Sequence, residues 1–174
     1  MPDIEILSLT DYHGVPDVVE DGQTYLENAL KKAKAYSLFT GETVLADDSG
    51  LEVDFLNGEP GIYSSRYAGP DATDEENYKK LLQKMAGVAP ENRGAQFRCV
   101  LVLYQSNGYY ESFEGTWRGT IHPEPIGNRG FGYDPVFYLP DQGVTVAELA
   151  PETKNKLSHR GQALDLFRKW LQSH

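Results

Sequence analysis

The sequence predicts a mixed α/β (α+β) chain: a central mixed, partly antiparallel sheet flanked by helices, with a cleft between two lobes. Three observations predict it. Apolar residues recur at helical spacing in three capped segments, two β-rich runs flank the turn Ser106-Asn107-Gly108, and helices and strands interleave without strict alternation. The 174 residues, 40% of them apolar, suffice for one ordinary globular domain over residues 1–174.

Thr24-Tyr25-Leu26-Glu27 is a capping box, in which a threonine oxygen and a glutamate carboxylate satisfy orphan amide donors. Leu26, Ala29, Leu30, Ala33 and Ala35 follow it, which predicts a helix over 24–40 closed by Gly41. Residues 43–46 read as a short buried strand, and Leu51, Val53 and Phe55 alternate with polar neighbours as a half-buried strand does. Asp47-Asp48-Ser49-Gly50 between them reads as a strand-end turn, with the glycine letting the backbone turn tightly. Thr73-Asp74-Glu75-Glu76 is a second capping box, followed by Tyr78, Leu81, Leu82 and Met85 and ended by Gly87. Residues 95–105 and 109–120 form the two arms of an antiparallel hairpin. Ser158 caps a last helix carrying Ala163, Leu164, Phe167, Trp170 and Leu171 on one face.

Sixteen Lys and Arg stand against 26 Asp and Glu, a net charge of −10 with no basic run, which argues against gripping a nucleic-acid backbone. An anionic substrate then needs a divalent cation or a locally basic pocket to reverse the field. Met1 is followed by acidic, Pro-containing sequence, unlike a signal peptide, and no apolar stretch approaches the roughly 20 residues of a membrane span. A cytoplasmic protein with no membrane partner is expected. The single cysteine, Cys99, has no second thiol for a disulfide or zinc cluster and reads as a buried strand residue rather than a nucleophile.

Three clusters carry chemistry. Asp47 and Asp48 pair carboxylates after an apolar strand; with Glu20 or Glu27 nearby they would make an oxygen-rich site of the type magnesium takes, though Asp-Asp-Ser-Gly is equally good turn chemistry. Gly127-Asn128-Arg129-Gly130-Phe131-Gly132-Tyr133-Asp134-Pro135 lets backbone amides approach a ligand while an aromatic face stacks on a base, an interaction worth roughly 1–3 kcal/mol; core aromatics on a Gly-rich turn are the alternative. Lys154-Asn155-Lys156-Leu157-Ser158-His159-Arg160-Gly161 is a basic helix start in an acidic chain, either an anion or carbonyl receptor or a solvated helix end. The zinc-protease, α/β-hydrolase and P-loop signatures are absent from the sequence.

Glu27-Asn28-Ala29, Ala46-Asp47-Asp48-Ser49-Gly50-Leu51, Gly58-Glu59-Pro60-Gly61-Ile62-Tyr63-Ser64-Ser65-Arg66-Tyr67, Phe131-Gly132-Tyr133-Asp134-Pro135 and Ser158-His159-Arg160-Gly161-Gln162-Ala163-Leu164 occur in one order. In that order they resemble the noncanonical purine nucleoside triphosphate pyrophosphatases, the inosine triphosphatase-like family. The resemblance runs from about Glu20 to the C-terminus. It implies magnesium-dependent hydrolysis of ITP, dITP and XTP to the monophosphate and pyrophosphate, and a homodimer. It also implies roles: Asp48 as general base and metal ligand, Glu20 as the second metal carboxylate, and Ser49 as a substrate contact. Phe131, Gly132, Tyr133 and Asp134 resemble the base-binding loop, and Lys154, His159 and Arg160 match the positions that hold the purine. Donors from Arg160 and His159 would suit a 6-oxo acceptor and mismatch the 6-amino group of adenine.

The family opens with a strand and a Thr/Ser-x-Asn-x-x-Lys turn that cradles the triphosphate, whereas here Met1 stands just before Glu5-Ile6-Leu7-Ser8-Leu9, which resembles the family's second strand. The chain is therefore expected to lack that clamp and to be impaired. A catalytically silent nucleotide-binding or assembly module that keeps the base pocket is the alternative. A pyrophosphatase for modified pyrimidine nucleotides is disfavoured by Ser-His-Arg-Gly.

Overall fold

A computed structural model describes residues 4–174. Helix α1 (Tyr25–Thr40) starts at Thr24, whose Oγ1 accepts from Glu27 N at 3.1 Å, and ends at Gly41 in the left-handed conformation. The Glu27 carboxylate reaches one residue further out than a capping box requires, to Gln23 N at 2.7 Å. Strand β1 (Val44–Val53) runs unbroken through Asp47-Asp48-Ser49-Gly50, which corrects the expectation of a turn there. Its residues pair one by one with β3 (Gly94–Tyr104), Asp48 opposite Val100 and Asp47 opposite Leu101. The apolar partner strand imposes extension on residues with turn chemistry. Gly50 serves close approach instead of turning: a Cβ there would lie 2.7 Å from Tyr25 Oη and 2.9 Å from Ser64 Oγ. Phe55, expected to continue the strand, falls in a 3-10 turn (Asp54–Leu56) and is exposed.

The hairpin of β3 and β4 (Tyr110–Ile121) forms as predicted, from Gly94 opposite Thr120 to Tyr104 opposite Tyr110. With β2 (Pro60–Gly61), β5 (Phe137–Leu139) and β6 (Val144–Thr145) it completes a six-stranded sheet in the order β2-β1-β3-β4-β5-β6. The mixed helix-and-sheet class is as predicted. The sheet itself is antiparallel at every pairing among the described residues, because β3 to β6 follow one another as neighbours.

Alternate residues of β3 serve two cores, as a period of two requires. Val100 and Val102 pack under Ala29 and Ala33 of α1. Cys99, Leu101 and Leu103 face the other way, against Ala163, Phe167 and Trp170 of α4 (His159–Ser173). Helix α2 (Asp74–Lys84) begins with both halves of the Thr73–Glu76 capping box in place, and its Leu81 joins Leu51, Phe97 and Phe137 in a third cluster. Gly87, expected to end that helix, lies just beyond it with φ of 75°. Helix α3 (Pro151–Leu157) runs into α4 through Ser158, which ends the first helix and caps the second, its Oγ accepting from Gly161 N at 3.1 Å.

Residues 5–9 do not form the strand they resemble. Ser8 N donates to Asp11 Oδ2 at 2.9 Å and Thr10 N to Ser8 Oγ at 3.2 Å, closing a 3-10 turn (Leu9–Asp11) that competes with ladder bonding. Among the described residues no helix is long and apolar enough to cross a membrane.

Candidate active site

Consecutive carboxylates on β1 point to opposite faces of the sheet. Asp48 turns toward α1, where its Oδ2 accepts from Asn28 Nδ2 at 3.1 Å and its Oδ1 lies 3.7 Å from Lys32 Nζ. Lys32 also donates to Glu20 Oε2 at 2.9 Å, so Glu20 and Asp48 converge on one ammonium group. Asn28 and Lys32, four residues apart, share a helix face. The other end of the Asn28 amide accepts from Gly22 N at 2.8 Å, and Arg66 Nη2 donates to Glu20 O at 2.9 Å. These two bonds hold the Glu20 segment beside the helix. Burial raises the pKa of Asp48; Asn28 and Lys32 oppose this, and the neighbouring Glu20 adds to it.

Asp47 turns toward α4. Its Oδ2 accepts from Arg160 Nη2 at 2.7 Å and Nε at 3.1 Å, and from Ser49 Oγ at 3.1 Å. Burial pushes Asp47 up, but Arg160 outweighs it and, with Ser49 and Lys32, holds the carboxyl below its ordinary range. Cys99 is buried beside this pair, and burial pushes its thiol up to about 11, which leaves it a protonated core residue at neutral pH.

The loop of residues 127–135 gives Phe131, Gly132, Tyr133 and Asp134 to the cavity that Lys32 of α1 also lines. Phe131 is 60% exposed, with Lys154 Nζ 4.4 Å and the Arg160 guanidinium 5.8 Å from its ring centroid. Asp134 Oδ2 accepts from Phe131 N at 2.9 Å and pairs with Lys154. Gly130, at φ of 77°, has no room for a side chain because a Cβ would strike the Asp134 carboxylate. Burial raises Asp134, opposed by Lys154 and the Phe131 amide. Tyr133 is a core residue whose hydroxyl donates to Ser64 O at 2.8 Å, and Gly132 N donates to Asp74 Oδ2 at 2.6 Å. The His159 ring stacks on Phe97, centroids 4.8 Å apart and planes at 14°, with Nδ1 buried and unpartnered. Burial first, then Arg160 and Lys154, push its pKa down to about 3, so the imidazole is neutral at pH 7.

Every site residue that the family resemblance assigned lines one cavity of about 480 Å³, a size that suits a small-molecule ligand. Glu20 and Asp48 gather on Lys32, whereas Ser49, through Asp47, belongs with Arg160, and Arg160 with Phe131, Asp134 and Lys154; Gly132, Tyr133 and His159 complete the lining. Glu27 is directed to Gln23 instead. The sequence reading missed Lys32, Asp74 and Phe97 and gave Asn28 no function of its own; its pairing of Asp47 with Asp48 as joint metal carboxylates is corrected, because Asp47 turns to the other face and binds Arg160. Only Lys32 had a local signal, its place one helical turn after Asn28.

The sequence profile of the Ham1 family matches residues 1–170. The chain belongs to the Ham1 family. Relatives named dITP/XTP pyrophosphatase include those of Geobacter sulfurreducens, 49% identical over 95% of this chain and 83% of the relative, and Geobacillus kaustophilus, 50% identical over 92% and 79%. The structure of the Staphylococcus aureus Ham1 protein superimposes with a TM-score of 0.91 at 43% identity, covering 99% of this chain and 88% of that one. A HAM1 protein from Coxiella burnetii gives 0.87 at 46% identity, covering 92% of this chain and 82% of that one. The Ham1 assignment thus spans every residue that lines the cavity.

Proposed function

We propose that this Ham1 chain hydrolyses purine nucleoside triphosphates with a 6-oxo base, ITP, dITP and XTP, to the monophosphate and pyrophosphate, clearing deaminated purines from the nucleotide pool. One observation carries the reading: a single cavity has Glu20 and Asp48 gathered on Lys32 and, elsewhere in its lining, an exposed aromatic ring, Phe131, flanked by the ion-paired cations Lys154 and Arg160. The names of the Geobacter and Geobacillus relatives support it.

Beside the loop Phe131 stacks on the purine, and the donor-only side chains of Lys154 and Arg160, held by Asp134 and Asp47, suit the 6-oxo acceptor. Adenine would bring a 6-amino donor to the same donors and leave them unpaired, the kind of mismatch that gives strong discrimination. Beside Lys32, Asp48 accepts a proton from the attacking water as its oxygen bonds to phosphorus. The bond between the α and β phosphates breaks and pyrophosphate leaves. Asn28 fixes one carboxylate oxygen of Asp48, and Ser49 contacts the substrate from the same strand.

The donor set fits magnesium. Glu20 and Asp48 are hard oxygen ligands brought together on Lys32, and magnesium usually takes one or two carboxylates plus substrate phosphates. When bound there it supplies charge neutralisation for the phosphate oxygens. The same reading carries action of residues 1–174 as one unit, a homodimer and a cytoplasmic location; sedimentation and cell fractionation test the last two.

The deciding experiment measures pyrophosphate release from ITP, dITP, XTP, GTP and ATP with magnesium and with a chelator. Release from ITP and XTP well above ATP, lost on chelation, is expected. Calorimetric binding of inosine monophosphate and ITP with no release of pyrophosphate would instead identify a silent nucleotide-binding module.

A further inference from the structure

We infer that Asp74, at the first position of α2, is a positioning residue for the purine, holding the backbone of the loop that presents Phe131. This rests on the base-stacking role proposed for Phe131. Two successive amides of the loop are each tied to a carboxylate: Phe131 N to Asp134, three residues on, at 2.9 Å, and Gly132 N to Asp74, 58 residues away, at 2.6 Å. Gly127, Gly130 and Gly132 all have positive φ, so the loop has little backbone preference of its own. The Phe131 ring is mostly exposed, touched on its face by the side chains of Lys154 and Arg160. The backbone that carries the ring is held by the pair of carboxylates, together with the Tyr133 anchor on Ser64.

Acidic residues in a first helical turn ordinarily answer the helix dipole. Glu75 and Glu76 fit that explanation, since Glu75 pairs with Lys79 on its own helix and Glu76 completes the cap on Thr73. Asp74 alone of the three reaches out of the helix to another segment. The helix behind it is anchored. Asn77, buried, accepts from Ala68 N at 2.8 Å and donates to Ser65 O at 3.0 Å, and the adjoining Ser64 Oγ accepts from Leu51 N of β1 at 2.9 Å. Hydrogen bonds joined by short stretches of backbone thus link the strand that carries Asp47 and Asp48 to the loop that carries Phe131.

The test compares Asp74→Ala, Asp74→Asn and Glu75→Ala in steady-state pyrophosphate release from ITP. Loss of a hydrogen bond to a charged acceptor that contributes only to binding should raise KM about tenfold or more in Asp74→Ala, with kcat within about twofold. Asp74→Asn keeps an acceptor oxygen and should return KM to within about threefold of wild type, while Glu75→Ala should match wild type. An unchanged KM in Asp74→Ala, a fall in kcat alone, or an Asn variant as impaired as the Ala variant overturns the assignment. Wild-type turnover tests the proposed function separately. If the wild type releases no pyrophosphate, the same variants are ranked by calorimetric Kd for inosine monophosphate: the same ratios support the role of Asp74, equal affinities overturn it, and a wild type that binds no inosine monophosphate overturns both.

Discussion

The Asp47 carboxylate grips the Arg160 guanidinium through a single oxygen, 2.7 Å from Nη2 and 3.1 Å from Nε, across 113 residues of sequence. Strand β1 thereby sets the position of a cation that faces the Phe131 ring. Arg160→Ala should lower the ratio of kcat/KM for ITP over ATP by about 10- to 150-fold, the equivalent of about 1.5–3 kcal/mol for a charge-assisted hydrogen bond. Asp47→Ala should move the ratio in the same direction by less, because the guanidinium is then freed and not removed. An unchanged ratio in Arg160→Ala would remove that residue from base selection.

Asp48→Asn should cut pyrophosphate release by about 10²–10⁴-fold, the usual contribution of a general base. The variant keeps the shape and one acceptor oxygen for Asn28, so its melting temperature should stay close to wild type. Near-parental turnover would assign proton acceptance to another group.

His159 makes stability depend on pH with a definite sign. Its pKa is about 3 in the fold against an ordinary 6.5, so between those values the unfolded chain binds a proton that the native state does not. Its contribution is complete above pH 6.5 and erodes as pH falls toward 3, with a slope of up to about 1.4 kcal/mol per pH unit. Urea unfolding of wild type and His159→Phe at pH 7.5, 5.5 and 4.5 reads this: the variant should lack that part of the slope. Parallel pH dependences would mean that the ring is protonated in the fold.

Ser64→Ala should destabilise the fold by about 1–3 kcal/mol, the cost of leaving a buried donor unsatisfied. The hydroxyl accepts from the buried Leu51 N at 2.9 Å and donates to Gly61 O at 2.6 Å, so both groups lose their partner together. A shift in the urea midpoint at constant slope is the expected observation.

The helix starts were legible because their chemistry is local: Thr24, Thr73 and Ser158 each bond an amide within a few residues. Asp47-Asp48-Ser49-Gly50 was misread as a turn because its extended form is dictated by β3, which lies some fifty positions later in the chain, Asp48 being opposite Val100. Residues 5–9 differ in the opposite sense, since their resemblance to the family's second strand implied a strand while Ser8 and Asp11 close on each other. The site residues were found as motifs, and the fold brings them to one cavity. The positions of Asp74 and Phe97 became meaningful only through Gly132 and His159, which are distant in sequence.

Because neighbours on an extended strand alternate in direction, β1 distributes its carboxylates by parity, the even-numbered Asp48 to Lys32 and Glu20 and the odd-numbered Asp47 to Arg160. Inserting or deleting one residue ahead of Asp47 inside β1 would turn each aspartate to the opposite face of the sheet while leaving both in the sequence. The hairpin tip at Ser106-Asn107-Gly108, far from both, is where this chain can grow or shrink without scrambling that code.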